Sequence, residues 1–163
     1  MVSSPLLQFQ IQDIPPDGIA VVGDVPFADL EVTDDELVRC PRPLHFELRV
    51  SPVGEDGILV RGRLSTELEM TCDRCLEPVQ VPIEESDVCH HLENVVGTVV
   101  DLTEDLREDI LLVFPQTCLC QDECLGLCPE CGKNLNDGAC TCRTASAGEN
   151  PWGALDNLDL TER

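Results

Sequence analysis

The residues most able to do chemistry in this sequence are its eleven cysteines, and most of them are clustered. Cys72-Asp73-Arg74-Cys75 is one pair. Cys128-Pro129-Glu130-Cys131-Gly132 is a second, and Cys140-Thr141-Cys142 follows it. Two cysteines separated by two residues at a tight turn can place both sulfurs on one ion, about 2.3 Å away. Glycine directly after the second cysteine lets the backbone turn so that its amides point at the thiolates. One pair is half of a tetrahedral site. The distance from Cys128 and Cys131 to Cys140 and Cys142 permits a closed four-thiolate set. Cys72 and Cys75 would then join Cys120 and Cys124 in a second site that clamps the later segment to the earlier one. The expected cofactor is zinc, one or two ions. Cys40, Cys89 and Cys118 are left over as ordinary buried or half-buried thiols.

Three other chemistries use the same residues. An iron–sulfur cluster could take Cys120, Cys124 and Cys128 before Pro129, although common ferredoxin spacings are shorter. A zinc deaminase could pair His91-Leu92-Glu93 with a downstream C-x-x-C, but that signature has proline before the first cysteine, where this chain has Leu127. A thiol–disulfide exchanger could use Cys128 and Cys131, without the βαβ pattern that usually precedes one. His90 and His91 read as solvated residues at a strand end, either of which could replace a cysteine at a metal. No phosphate-binding glycine loop or nucleophile elbow occurs. No catalytic residue is assigned, and enzymatic activity is not expected.

The elements that must position these cysteines are mostly strands. Leu44, Phe46, Leu48 and Val50 alternate with His45, Glu47 and Arg49. A turn at 51–57 leads to a longer strand with Ile58, Val60, Leu64, Leu68 and Met70 inward, where Gly62 on the inner phase predicts a bend or bulge. Val79, Val81 and Ile83 make a third strand, so Cys72 and Cys75 lie at the tip between the second and third. Leu7, Phe9 and Ile11 suggest another strand pairing with this meander. Thr33 with Glu36 offers a capping box for a short helix before Pro41. Residues 101–115 read as a helix, capped by Asp101, with Leu102, Leu106, Ile110 and Val113 as its stripe and Pro115 as its stop. The expected class is α+β: an antiparallel, meander-rich sheet with one or two helices and a C-terminal cysteine-rich zinc ribbon or knuckle. The divisions are a β-rich core domain over 1–117, a cysteine-rich segment over 118–143, too short to bury a core without a staple, and a tail over 144–163. Within that tail Trp152, Leu155 and Leu158 form a small apolar docking patch.

Composition narrows the partners. There are 32 Asp and Glu against 10 Lys and Arg, a formal net charge of −22. Such a surface repels phosphate and anionic lipid at long range, so a basic protein is the expected partner, with no DNA and no membrane. Five arginines, Arg39, Arg42, Arg49, Arg61 and Arg63, could still form a local RNA patch, unless neighbouring carboxylates pair with them. No apolar run approaches the roughly 20 residues of a membrane helix. The first twenty residues show neither a basic start nor an apolar run, so a secretory leader is not expected and a reducing cytoplasm is.

The order of motifs resembles a known family. Thr71-Cys72-Asp73-Arg74-Cys75-Leu76-Glu77-Pro78 comes first, then Asp101-Leu102 opening a helix that ends at Leu111-Leu112-Val113-Phe114-Pro115. Gly126-Leu127-Cys128-Pro129-Glu130-Cys131-Gly132-Lys133-Asn134-Leu135-Asn136, Cys140-Thr141-Cys142 and Asn150-Pro151-Trp152 complete the order. It is similar to the YceD family of large-subunit ribosomal RNA accumulation proteins over most of residues 44–160. The resemblance implies ribosome biogenesis: support for the large-subunit (23S) ribosomal RNA and assembly of the large subunit, with no catalytic residue. The partner would be a basic ribosomal protein or assembly factor. The alternative is direct contact with the RNA precursor through residues such as Arg61 and Arg63.

Overall fold

A computed structural model describes residues 7–142 of the chain. Its centre is a five-stranded antiparallel sheet built around one long strand, β5 (Gly57–Thr71). On one edge of β5 lie β4 (Leu44–Val53), which carries β2 (Ile19–Val25) outside it, and the short β3 (Val38–Arg39), which pairs with the far end at Met70 and Glu69. The other edge is filled along its whole length by β6 (Pro78–Leu92). Alternation is what builds the inner face. Leu44, Phe46, Leu48 and Val50 from β4 and Ile58, Val60, Leu64 and Leu68 from β5 are all buried. Burial of each such side chain contributes about 1.5–3 kcal/mol.

Gly62 does what its place on the inner phase predicts. A Cβ there would lie 2.1 Å from the Glu47 carbonyl oxygen, so β4 and β5 approach more closely than any side chain allows. The β5–β6 register shifts beside it: Gly62 pairs with Val88 but Leu64 pairs with Glu85, leaving Ser86 and Asp87 together opposite Arg63. This bulge moves β6 to its other phase, so Ile83 and Val88 both face the core.

Helix α1 (Thr103–Leu112) buries Leu106 and Ile110 against the sheet, with Leu102 at its start. Asp101 accepts from the Thr103 amide at 3.0 Å, so it satisfies the first turn from one residue before the N-cap, Leu102. The helix stops at Leu112, before Pro115.

Three local readings change, and one strand is new. The segment Leu7–Ile11 does not join the main sheet: β1 (Gln8–Gln10) pairs with β7 (Val99–Asp101) in a separate two-stranded sheet, closing the region beside the helix. The capping box at Thr33 and Glu36 opens no helix. Asp35 instead accepts from the amides of Leu37 and Val38, both at 2.7 Å, and Asp34 accepts from Cys40, turning the chain into β3. Those side chains offer the backbone an alternative to helical bonding. The turn expected over 51–57 is shorter, because β4 runs on to Val53. Strand β2 gave no reading in the sequence, since its outward residues Ala20 and Val22 are apolar and blur the alternation.

Candidate metal centres

The tip between β5 and β6 is a knuckle, and the same knuckle occurs again downstream. At the tip the Cys72 amide donates to the Glu77 carbonyl and the Leu76 amide to the Cys72 carbonyl, at 2.9 and 3.0 Å. At the second, the Cys128 amide donates to Lys133 and the Gly132 amide to Cys128, both at 2.9 Å. The residue after the second cysteine has positive φ in both, 63° at Leu76 and 70° at Gly132. Glycine takes that conformation freely, whereas leucine pays roughly 1–2 kcal/mol. The parallel is hard to see in sequence because the first copy lacks the glycine.

Each knuckle meets a second pair of cysteines. The sulfurs of Cys72, Cys75, Cys120 and Cys124 lie within 4.8 Å of one another, and so do those of Cys128, Cys131, Cys140 and Cys142. Individual separations are 3.9 Å for Cys72–Cys124, 3.5 Å for Cys75–Cys120 and 3.4 Å for Cys128–Cys140. Four thiolates about 2.3 Å from a tetrahedral ion sit about 3.8 Å apart, so both quartets have the dimensions of a four-thiolate metal site. All eleven cysteines are free thiols.

The first quartet is the more enclosed, with Cys72, Cys75 and Cys124 buried between Val79 and Leu127. A short zipper brings its two halves together. The Asp73 amide donates to the Cys118 carbonyl and the Cys118 amide to the Asp73 carboxylate, both at 2.8 Å. Arg74 reaches the Cys124 carbonyl at 2.8 Å. Cys118 therefore has a structural place beside the site without being a ligand. Gly126 passes so close that an added Cβ would be 3.0 Å from the Arg74 carbonyl oxygen.

The thiols are not equivalent. Burial raises the Cys72 thiol, but the backbone amides of Cys75, Arg74 and Cys120 outweigh it and bring the group down to about 6. The amides of Cys131 and Glu130 lower Cys128 to about 7. The Asn136 side-chain amide, 3.3 Å from the Cys124 sulfur, lowers that thiol. Cys120 is pushed up to about 12 chiefly by its neighbours Cys124 and Cys75, and Cys142 to about 12 chiefly by Cys131. The first quartet thus sets two lowered thiols, Cys72 and Cys124, beside two raised ones, Cys75 and Cys120, and the second sets the lowered Cys128 beside the raised Cys142; a raised thiol gives up its proton most readily to a cation. That is the donor chemistry of a thiolate metal site.

Asn136 links the two quartets and was not singled out in the sequence. It sits in the 3-10 turn Leu135–Asp137, between Cys131 and Cys140, yet its side chain serves the first site. Its oxygen accepts from the Leu125 amide at 2.8 Å while its nitrogen points at Cys124. The Leu135 amide donates to Gly126, and Leu127 bridges to Asn134.

The other chemistries fare as follows. Cys128 lies in a different quartet from Cys120 and Cys124, so a cluster using all three is not assembled. His91 of the H-x-E triplet belongs to neither quartet, and no histidine replaces a cysteine. His90 is not the solvated strand-end residue expected. Its Nε2 lies 2.6 Å from Asp109 and its Nδ1 3.7 Å from Asp105, tying β6 to α1. Cys89 is exposed rather than half-buried. Arg61 and Arg63 stand on the exposed outer face of β5. Trp152, Leu155 and Leu158, with the whole tail over 144–163, lie outside the described residues. No described helix is long and apolar enough to cross a membrane.

Comparison with known proteins supplies relatives for this arrangement. The chain is 38% identical to an uncharacterised protein of Mycobacterium tuberculosis over a 108-residue alignment, covering 56% of this chain and 51% of the relative. An uncharacterised Mycobacterium leprae protein is 34% identical over 109 residues, covering 57% and 49%. The chain thus spans about half the length of the curated relatives it matches. No solved structure matches. Residues 89–159 match the family model described as large ribosomal RNA subunit accumulation protein YceD, a stretch that includes six of the eight quartet cysteines. Over residues 89–159, the chain is thus similar to the YceD family.

Proposed function

We propose that this protein is a non-enzymatic, zinc-stapled factor that supports accumulation of large-subunit ribosomal RNA by holding a basic ribosomal protein or assembly factor. The observation that carries the reading is the family match over residues 89–159, which includes the downstream cysteines of both quartets. Zinc is the metal of choice because four thiolates with no histidine or carboxylate form a closed structural set. Such a set keeps no open position for a substrate or an activated water, which supports a structural role over a hydrolase or deaminase. Two further features favour a scaffold. Among the described residues the buried groups able to act as nucleophiles are cysteine thiols, and all but Cys118 belong to the two quartets, so no separate acid–base constellation sits desolvated in the way catalysis usually requires. Three of the five arginines considered for RNA contact are neutralised: Arg39 by Glu69, Arg42 by Glu67 and Arg63 by Glu47, at 3.5, 3.3 and 2.7 Å.

An acidic surface of −22 attracts basic proteins and screens them from premature contact with RNA. The setting is the cytoplasm, where thiols stay reduced and available to zinc. Reconstitution tests the reading. The purified, zinc-loaded protein is mixed separately with basic large-subunit proteins and with protein-free large-subunit RNA, then passed through gel filtration at physiological salt. Co-elution with one or more of the proteins, and none with the RNA, is expected. Co-elution with the naked RNA alone would replace the protein partner with an RNA-binding module.

A further inference from the structure

On the outer face of the sheet, some arginines stand opposite a carboxylate. Arg39 stands opposite Glu69 and Arg63 opposite Glu47, each as direct cross-strand partners. Arg49 and Arg61, however, stand opposite each other across β4 and β5. Like charges directly opposite destabilise a sheet. The neighbours in that row do not help: Arg49 is flanked by Ala20 on β2, and Arg61 by Cys89 on β6. A chain with 32 acidic residues leaves both ends of this row without a carboxylate. Arg49 is held in place by the Asp17 carbonyl oxygen, 2.6 Å from its Nη2, which orients the guanidinium without neutralising it. Arg61 makes no hydrogen bond or ion pair among the described residues.

The two arginines line an open groove of about 680 Å³. Its floor includes Gly62, where the absence of a side chain draws the strands together, and its apolar side includes Val22, 59% exposed. Glu47 and Asp87 also line it. Three arginines against two carboxylates leave the lining positive by one charge. Departures from local charge matching of this kind are expected at functional sites.

We propose that the Arg49–Arg61 pair is an anion site that takes a phosphodiester group of a single-stranded RNA. Two guanidinium forks on directly paired residues of adjacent strands, both lining one groove, can share a tetrahedral group between its oxygens. A phosphodiester carries one negative charge, which suits a lining positive by one. A more highly charged phosphate or a run of carboxylates would meet Glu47 and Asp87. The apolar side at Ala20 and Val22 gives the adjoining sugar and base a surface to lie on. A duplex would bring many phosphates against the acidic surroundings, whereas a single strand can present one. RNA as the bearer rests on the large-subunit reading above, while the anion site rests on the register of β4 and β5 alone. The contact is local and modest in strength, and it adds an RNA grip to a body that binds a basic protein.

The full-length, zinc-loaded protein is titrated by NMR with a ten-nucleotide single-stranded RNA, with inorganic phosphate, and with a polyglutamate peptide. Arg49 and Arg61 resonances are expected to move with the RNA, with a salt slope of about −0.7 for one neutralised phosphate. Arg61→Gln is expected to weaken that binding at least tenfold, and Arg39→Gln, whose partner is Glu69, to change it less than twofold. Arg49→Gln gives an independent second reading, and a thermal melt of each variant reports whether the fold is kept. Wild-type affinity in Arg61→Gln, a response to inorganic phosphate alone, or equal competition by polyglutamate would each overturn the proposal. Loss of the RNA response with co-elution of basic proteins intact refutes only this site. An intact RNA response without protein co-elution refutes only the partner reading.

Discussion

Replacing Asn136 with alanine tests whether the two quartets form one structure. The side chain holds the Leu125 amide at 2.8 Å and offers its own amide to the Cys124 sulfur at 3.3 Å. Removal leaves the Leu125 amide without its partner and strips one donor from a ligand thiolate. A hydrogen bond to a charged group contributes about 1.5–3 kcal/mol, and loss of a partner to a metal ligand typically costs 10–100-fold in affinity. These agree, since each tenfold is about 1.4 kcal/mol. Zinc should therefore leave the Cys72 quartet 10–100-fold more readily, although residue 136 lies within the span of the other site. The assay is competition with a chromogenic chelator, with a Cys128→Ser background isolating the first site. Asn136→Asp should be worse than alanine, because a carboxylate replaces the donor beside a thiolate. Zinc retention within twofold of wild type in both variants would refute the coupling.

Cys128→Ser should lose one zinc by elemental analysis and leave the sheet's circular dichroism unchanged, whereas Cys72→Ser should make residues 118–127 sensitive to protease. In metal-free protein, thiolate absorbance should appear between about pH 6 and 8, because the Cys72 and Cys128 thiols stand at about 6 and about 7. Lowered folded values mean that this contribution to stability is complete above the ordinary thiol value near 9 and is lost as pH falls through 7 and 6. Zinc retention should fall in the same direction, because protons compete for the ligands. Gly62→Ala should destabilise the sheet by about 3 kcal/mol or more in urea unfolding, since the new Cβ meets backbone rather than a movable side chain.

Much of this was legible in the sequence because strands and cysteines announce themselves differently. Alternation at Leu44–Val50 and Ile58–Met70 set the inner face, and the spacing of the cysteine pairs set the two quartets. What failed was local competition. Thr33 and Glu36 matched a helix start, but Asp35 captured the amides of Leu37 and Val38 and Asp34 that of Cys40, which a helix would have tied to its own carbonyls. The strand at Ile19–Val25 hid behind apolar residues on its exposed side. Asn136 stood within the family-like motif, but its role was not legible there, because it acts on a sulfur twelve residues away. Arg49 and Arg61 looked like three other arginines until the register showed which had partners.

The two quartets close very different lengths of chain. Cys75 and Cys120 are 45 residues apart, and β6, β7 and α1 all lie between them. Cys128 and Cys140 are only 12 apart. Treated as crosslinks on an unfolded polymer, the first removes about 4 kcal/mol of loop freedom and the second about 3. The greater difference is in timing. The short loop can find its ion while the rest of the chain is still searching, whereas the long one must wait until the last strand and the helix have come home. An ion held by the downstream quartet would thus arrive early in folding, and one held by the upstream quartet would be a late seal on an assembled domain.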